Sequence, residues 1–322
     1  MRRRSSFAEI VTVGMVELCQ TSYPIVPSTE AIRMLELFPL QHQEFRHQFG
    51  IAALPAGHPI FKPGADYQRE RDLRRRTLDG DFVDQYIAIP ELPERALESL
   101  ITWCVSQSEH LRSIDSTLVN TELETPSKCS AAATPVQRFD WLVRNLVEDV
   151  VILTKQPPHQ VIGGCVCFPS GWSIREKLGQ PLLDVHDEVP GFTEELWNPT
   201  ERLFNRMKPD KTVWRTNWGV RPSGALDQST RFLDDIRQHA AEITSDNALR
   251  QCYFRVEFQT LTYLENIGVV FTIRTTQCQL EALAHQQRQL LLGNLESCPE
   301  STLRYKGIWP MRIPLRQALT KG

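Results

Sequence analysis

One histidine, His186, stands in the run DVHDEVPG, with apolar Val185 before it and two carboxylates, Asp187 and Glu188, after it. A metal-bound imidazole needs a partner on its second ring nitrogen to fix the tautomer. Asp187 and Glu188 are the neighbours expected to supply one, and Pro190-Gly191 limits the backbone beyond them. No second histidine is nearby in sequence, so the run is poor in zinc ligands. It is sufficient for haem, where the porphyrin brings the in-plane donors and the protein adds an axial one. A satisfied surface histidine is the alternative reading.

Three further groups bear on that choice. In VIGGCVCF, Gly163 and Gly164 remove side chains from both faces of a strand, which suits either a planar ring or a closely packed backbone. Cys165 and Cys167 alternate onto one face, as small hydrophobes or with Cys165 as a rival ligand for iron. In RVEFQT, Arg255, Glu257 and Gln259 share a face. A turn over Glu265–Gly268 would set Gln259 opposite Arg274, with Glu257 on the diagonal. Such a face is either solvated surface or the lining of a pocket. The propionates of a haem want arginine or lysine. Arg175, Lys177, Arg215 and Arg274 are the candidates; Arg175 and Lys177 are two apart on a helix, so at most one should face a given propionate.

The elements that must position these residues follow from local signals. Thr134-Pro-x-Gln137 and Ser173-x-x-Glu176 are capping boxes that start helices. The second helix stops near Gly179-Gln180-Pro181, shortly before His186. VVILTKQ (150–156) and QVIGGCVCF (160–168) read as strands, and 193–207 reads as a helix broken at Pro199. VWRTNWGV (213–220) alternates, with Trp214, Thr216 and Trp218 on one face and Arg215 and Asn217 on the other. YFRVEFQTLTYL and GVVFTIRTTQ form a hairpin, and LEALAHQQRQLLLGN is an amphipathic helix. Two strands, a group of helices and three more strands make an α+β arrangement: a PAS-like antiparallel sheet covered by helices, with an additional N-terminal helical segment. A flat ligand fits between such a sheet and its helices.

The expected divisions are an irregular arm at 1–28, a mainly helical segment and linker at 29–135, the PAS-like domain at 136–300 and a tail at 301–322. Within the N-terminal part, IPELPERALESLITWCVSQSEHL (89–111) is the clearest helix, with Leu97, Leu100, Ile101 and Val105 at helical spacing behind Glu91 and Pro93. YQRERDLRRRTL (67–78) reads as a helix with a solvated charged face, and 113–135 has loop composition.

Bulk properties narrow the classes. The 322 residues are 41% hydrophobic and 23% charged, with a net charge of -3, so there is no basic field for nucleic acid or for an anionic membrane surface. No apolar run has the length of a bilayer span. The start MRRRSSFAEI lacks a secretory cleavage pattern, and Glu9 counts against a mitochondrial presequence. Eight scattered cysteines without a C-x-x-C pair imply free thiols in a reducing compartment, read here as cytoplasmic.

Taken in order, LVRNLVEDVVIL, HQVIGGCVCF, FPSGWSIREKLGQPLLDVHDEVPGF, WRTNWGV, RVEFQTLTYL and VVFTIRT resemble the catalytic alpha subunit family of haem-dependent oxidative N-demethylases. The similarity spans about 136–280, and extends more loosely towards residue 45. The resemblance implies a PAS-like domain that holds haem b and acts as a monooxygenase, demethylating a secondary methylamine of the dimethylamine type with release of formaldehyde. It also implies electrons from NADPH through a separate reductase carrying flavin and an iron–sulfur cluster. His186 is then the expected iron ligand. Arg175, Lys177, Arg215, Trp218, Arg255, Gln259, Thr275, Gly163 and Gly164 are expected around the cofactor, with Glu257, Arg274 and Asn217 in catalysis. Gly171 and Phe258 depart from the family pattern. A non-catalytic haem-binding sensor or carrier is the rival reading.

Overall fold

A computed structural model describes residues 38–46 and 50–321; the arm expected over 1–28 lies outside the described residues. The strands are β1 Ala52–Ala53, β2 Ile87–Ala88, β3 Leu111–Ile114, β4 Thr117–Asn120, β5 Ser127–Cys129, β6 Asp149–Leu153, β7 Val161–Cys165, β8 Thr212–Arg221, β9 Tyr253–Leu264 and β10 Gly268–Gln279. The helices are α1 Tyr67–Leu78, α2 Glu94–Ser106, α3 Pro135–Val143, α4 Ile174–Lys177, α5 Leu182–Val185, α6 Trp197–Arg206, α7 Leu233–Ala241, α8 Ala248–Gln251, α9 His285–Ser297, α10 Glu300–Tyr305 and α11 Arg312–Lys321.

One antiparallel sheet runs in the order β1-β8-β9-β10-β6-β7-β2. Strands β6 and β7 precede the helices α4–α6 in the chain, and β8–β10 follow them, so the class is α+β. Alternation along the strands sends Val151, Leu153, Val161, Leu261 and Val269 to one face, where they pack on Ile174, Leu182 and Phe204 of α4, α5 and α6. Val150, Ile152, Cys165 and Val270 face the other way, onto Leu97, Leu100 and Ile101 of α2 and Phe139 and Leu142 of α3. Phe254 and Val256 extend that second face onto Leu291, Leu295, Leu315 and Leu319 of α9 and α11. Burying both faces makes the sheet the centre of the molecule.

Four expectations change. The run 113–135 is not all loop: β3, β4 and β5 form a small antiparallel sheet. Asp115 and Ser116 both take positive φ (47° and 62°), the conformation of the tight turns that suit hairpins. The segment 301–322 is not a free tail. It lies in α10 and α11 and buries Leu303, Ile308, Met311, Leu315 and Leu319. Helix α1 covers the residues expected of it and keeps Arg69, Arg75 and Arg76 exposed, but Glu70, Arg71 and Arg74 are buried with Tyr67 and Leu78, so only part of its charge is solvated.

The fourth change is the hairpin register. Leu264 pairs with Gly268, leaving a three-residue loop in which Asn266 is left-handed (φ 65°). Gly268 therefore belongs to the strand, and a Cβ there would fall 2.2 Å from Leu153 O. The loop is one residue shorter than the expected turn, and the register moves by one: Gln259 opposes Ile273, Glu257 opposes Thr275, and Arg274 opposes Phe258. A one-residue slip carries a side chain to the other face. Arg274 thus leaves the face of Glu257.

Candidate haem and substrate site

The polar part of the sheet face shared with α4–α6 is built on three strands. In β8, Arg215, Asn217 and Arg221 point one way by alternation, paired in register with Gln259, Glu257 and Tyr253. At the centre is Glu257, whose Oε1 accepts from Ser170 Oγ (2.7 Å) and whose Oε2 accepts from Asn217 Nδ2 (3.2 Å) and Gln259 Nε2 (2.9 Å). Burial pushes its carboxyl up, but Arg255, the bonds from Ser170 and Asn217, and Arg221 outweigh burial and hold it below the ordinary value. Glu257 is ionised at neutral pH.

Arg255 is committed to the backbone. It donates to Phe168 O (2.6 Å), Pro169 O (3.2 Å), Leu226 O (3.1 Å) and Ala225 O (3.5 Å), tying two loops to β9. Burial lowers its pKa to about 10. Thr275 adds a longer bond to Phe168 O (3.5 Å).

His186 follows α5 directly. Pro181 precedes that helix, and Gly191 (φ 74°) turns the chain so that Phe192 stacks on the imidazole, with centroids 4.4 Å apart and planes at 10°. The His186 Nδ1–H donates to Leu182 O at 2.9 Å. A carbonyl only accepts, so the proton is on Nδ1 and the lone pair on Nε2. Burial lowers the pKa to about 4; Arg215 and Lys177 push the same way, against the Leu182 bond. The ring is neutral at pH 7. Asp187 and Glu188, expected to fix the tautomer, are exposed, and the backbone of the preceding turn does that work instead.

The structure therefore brings Glu257, Asn217, Gln259, Thr275, Arg255 and Arg215 onto one face, with His186 and Lys177 close enough to Arg215 or to each other to interact electrostatically. Other expected residues lie elsewhere. Arg274 pairs with Glu70 (3.0 Å) and Glu148 (3.9 Å) on the opposite face, so its assignment to catalysis beside Glu257 is corrected. The Trp218 ring belongs to that opposite face too, stacked on Phe254 (6.1 Å). Arg175 is exposed and paired with Asp84. A Cβ on Gly163 would lie 2.6 Å from Pro90 Cα, and one on Gly164 2.1 Å from Val150 O. The glycine pair thus admits neighbouring backbone, in place of the ring expected there. Cys165 lies under α1, with its sulfur 3.3 Å from Arg74 Nη2, which removes it as a rival iron ligand. Phe258 stacks on Trp214 (5.2 Å) away from Glu257, so that departure from the family pattern does not enter the site.

Three residues of the site were missed. Arg221 continues the Arg215–Asn217 alternation and was legible one step beyond the expected end of β8. Ser170 lies in a turn with no local sign of its bond to Glu257. Lys306 lies just past α10, in the segment set aside as a tail. Its Nζ donates to Asn217 Oδ1 (3.2 Å) and Trp218 O (2.6 Å).

Among the described residues, no three His, Cys, Asp or Glu side chains converge as a metal site. The donors present suit haem instead: a neutral imidazole with Nε2 available, and buried guanidinium nitrogens, Arg215 Nε and Arg221 Nε, that have no hydrogen-bond partner among the described residues. No described helix is long and apolar enough to cross a membrane. Comparison with known protein families matches residues 64–315 to the family described as haem-dependent oxidative N-demethylase, alpha subunit-like, a span that includes His186, Glu257 and Lys306, and the chain belongs to that family.

Proposed function

We propose that this chain is a catalytic subunit that binds haem b through His186 and demethylates a secondary methylamine of the dimethylamine type, releasing formaldehyde. The observation that carries the reading is the state of His186: neutral, locked at Nδ1 by Leu182 O, steadied by Phe192, and with Nε2 free of any protein partner among the described residues. The chain order of β6, β7, the inserted helices and β8–β10 supports the PAS-like reading of this part.

When bound, haem supplies oxygen activation and oxidation of the N-methyl carbon. The chain does the rest. His186 would be the ligand that holds the iron, through Nε2. The apolar cluster of Val151, Leu153, Leu261 and Phe204 packs on the same sheet face and would keep water from that end of it. Ionised Glu257, fixed by Ser170, Asn217 and Gln259, steadies the substrate ammonium or takes its proton. Because the oxidation with oxygen needs electrons from outside, a separate reductase using NADPH, flavin and an iron–sulfur cluster is the partner; the family description as an alpha subunit accords with one.

The test is a visible spectrum of the chain expressed with a haem precursor, followed by turnover with a surrogate reductase. A Soret band with a histidine-type carbonyl form, and formaldehyde from secondary methylamines, is the expected result. Bound and reducible haem that yields no formaldehyde from any secondary amine would make the chain a carrier or sensor. An unchanged spectrum in His186→Ala would remove His186 as the ligand.

A further inference from the structure

We infer that Lys306, brought by the C-terminal segment against β8, forms with Arg221 and Arg215 an anion subsite that takes the carboxylate edge of the bound cofactor. This rests on the haem reading above.

The argument starts from charge. Arg215, Arg221 and Lys306 are desolvated around a single ionised carboxylate, Glu257, whose oxygens are already taken by Ser170, Asn217 and Gln259. The Arg215 guanidinium has no hydrogen-bond or ion-pair partner among the described residues, and its Nε is buried. Arg221 donates once, from Nη2 to Ser170 O (3.3 Å), and its Nε is buried and unpartnered. Desolvated cations that outnumber their counter-ions are costly, and a ligand that brings the missing charge relieves that cost.

Placement gives the ligand its shape. Among the described residues, β1 pairs with β8 at Val213 and Trp214. Farther along β8, Lys306 satisfies the Trp218 carbonyl and lies 4.8 Å over the Trp218 ring. Arg215 and Asn217, the residue Lys306 holds, are two steps apart on one face, about 7 Å. That spacing suits paired carboxylates on one edge of a flat molecule, and Arg215 is also, with Lys177, a cation that acts on His186. Neutralising the cluster in this way also removes the repulsion that a substrate ammonium at Glu257 would otherwise meet.

Titration gives a second handle. Burial lowers Lys306 to about 8. The groups facing it are Glu257 on β9, Arg221 and Arg215 on β8, Cys298 at the end of α9, pushed up to about 11, and half-exposed Tyr305, also raised. Lys306 changes charge between pH 7 and 9, while the arginines stay charged.

The experiment titrates the full chain with ferric haem and with its dimethyl ester, following the Soret band and tryptophan quenching, for the native chain, Lys306→Met and Lys306→Arg. The native chain is expected to prefer haem over the ester by about tenfold or more, as lost charge-assisted bonds predict. Lys306→Met should narrow that preference severalfold and Lys306→Arg should restore it. The native preference should also shrink from pH 7 to pH 9, while that of Lys306→Met stays flat. Equal native affinity for acid and ester overturns the subsite while leaving the haem reading intact, and needs no variant to fold. A preference that Lys306→Met leaves unchanged removes Lys306. A native chain that binds neither molecule overturns both readings.

Discussion

Arg274 and Arg255 stand on adjacent strands of one hairpin, yet their surroundings are opposite in kind. On the α1 side, Arg274 meets Glu70 and Glu148, and Arg74 meets Asp149 at 2.8 Å with both side chains essentially unexposed. Buried cations and acids there are matched from within the chain. Across the sheet, Arg215, Arg221, Arg255 and Lys306 surround Glu257 alone, and among the three arginines only Arg255 donates from both terminal nitrogens to backbone carbonyls. Matched charges fix how α1 sits on the sheet. Unmatched charges of one sign indicate a counter-charge supplied by a ligand. Burial alone does not separate a structural charge from a functional one; the presence or absence of an internal partner does.

The largest effect expected from this contrast is on the matched side. Asp149 accepts from Arg74, from Cys167 N (2.7 Å) and from Phe168 N (3.0 Å). Asp149→Ala strands a guanidinium with no exposure to water, and breaking such a pair costs about 3–5 kcal/mol. Denaturant unfolding of the ligand-free chain measures this directly. A loss below about 1 kcal/mol would mean that α1 is not anchored by the pair, and the contrast would lose its structural half.

Much of this arrangement was legible in the sequence, and the exceptions have specific causes. Alternation placed Arg215 with Asn217, and Arg255 with Glu257 and Gln259, because period-two patterns survive any tertiary context. It misplaced Arg274 because the loop at Glu265–Ile267 is three residues long, and register depends on loop length. The burial of Glu70 and Arg74 was hidden because their partners, Glu148, Asp149 and Arg274, are distant in sequence. Lys306 had no local sign at all: its role comes from where α10 ends against β8. His186 was legible as a candidate ligand, but the group fixing its tautomer was not, since a backbone carbonyl one turn earlier leaves no mark on residue types.

A smaller effect with a defined pH window belongs to His186. Its folded-state pKa lies near 4 against an ordinary 6.5, so between those values the unfolded chain binds more protons than the folded one. Stability of the ligand-free protein therefore falls as pH drops from 6.5 towards 4, by up to about 3 kcal/mol. The comparison is with His186→Gln, whose stability relative to the native chain should rise by that amount across the window. Glu70 and Glu148 act with the opposite sign: burial raises both, so their contribution is present below the ordinary carboxylate value and is lost as pH rises through the folded values. A native-minus-variant difference for His186 that stays flat from pH 6.5 to 4 would mean that the imidazole is more solvated than its packing against Phe192 implies.

The smallest effect is the sharpest test, because its sign differs between the two sides. Removing Arg274 leaves Glu70 and Glu148 buried without their cation, so Arg274→Met should destabilise the chain. Removing Arg215 takes away a desolvated cation with no hydrogen-bond or ion-pair partner among the described residues, so Arg215→Met should leave the ligand-free chain unchanged or raise its stability by about 1 kcal/mol. The same substitution should weaken haem binding, since the cost relieved in the empty protein is the cost that a bound anion otherwise removes. Unfolding curves of both variants, with and without haem, give the comparison. If Arg215→Met destabilised the ligand-free chain as much as Arg274→Met, Arg215 would have a structural partner after all, and the two sides of the sheet would differ only in composition.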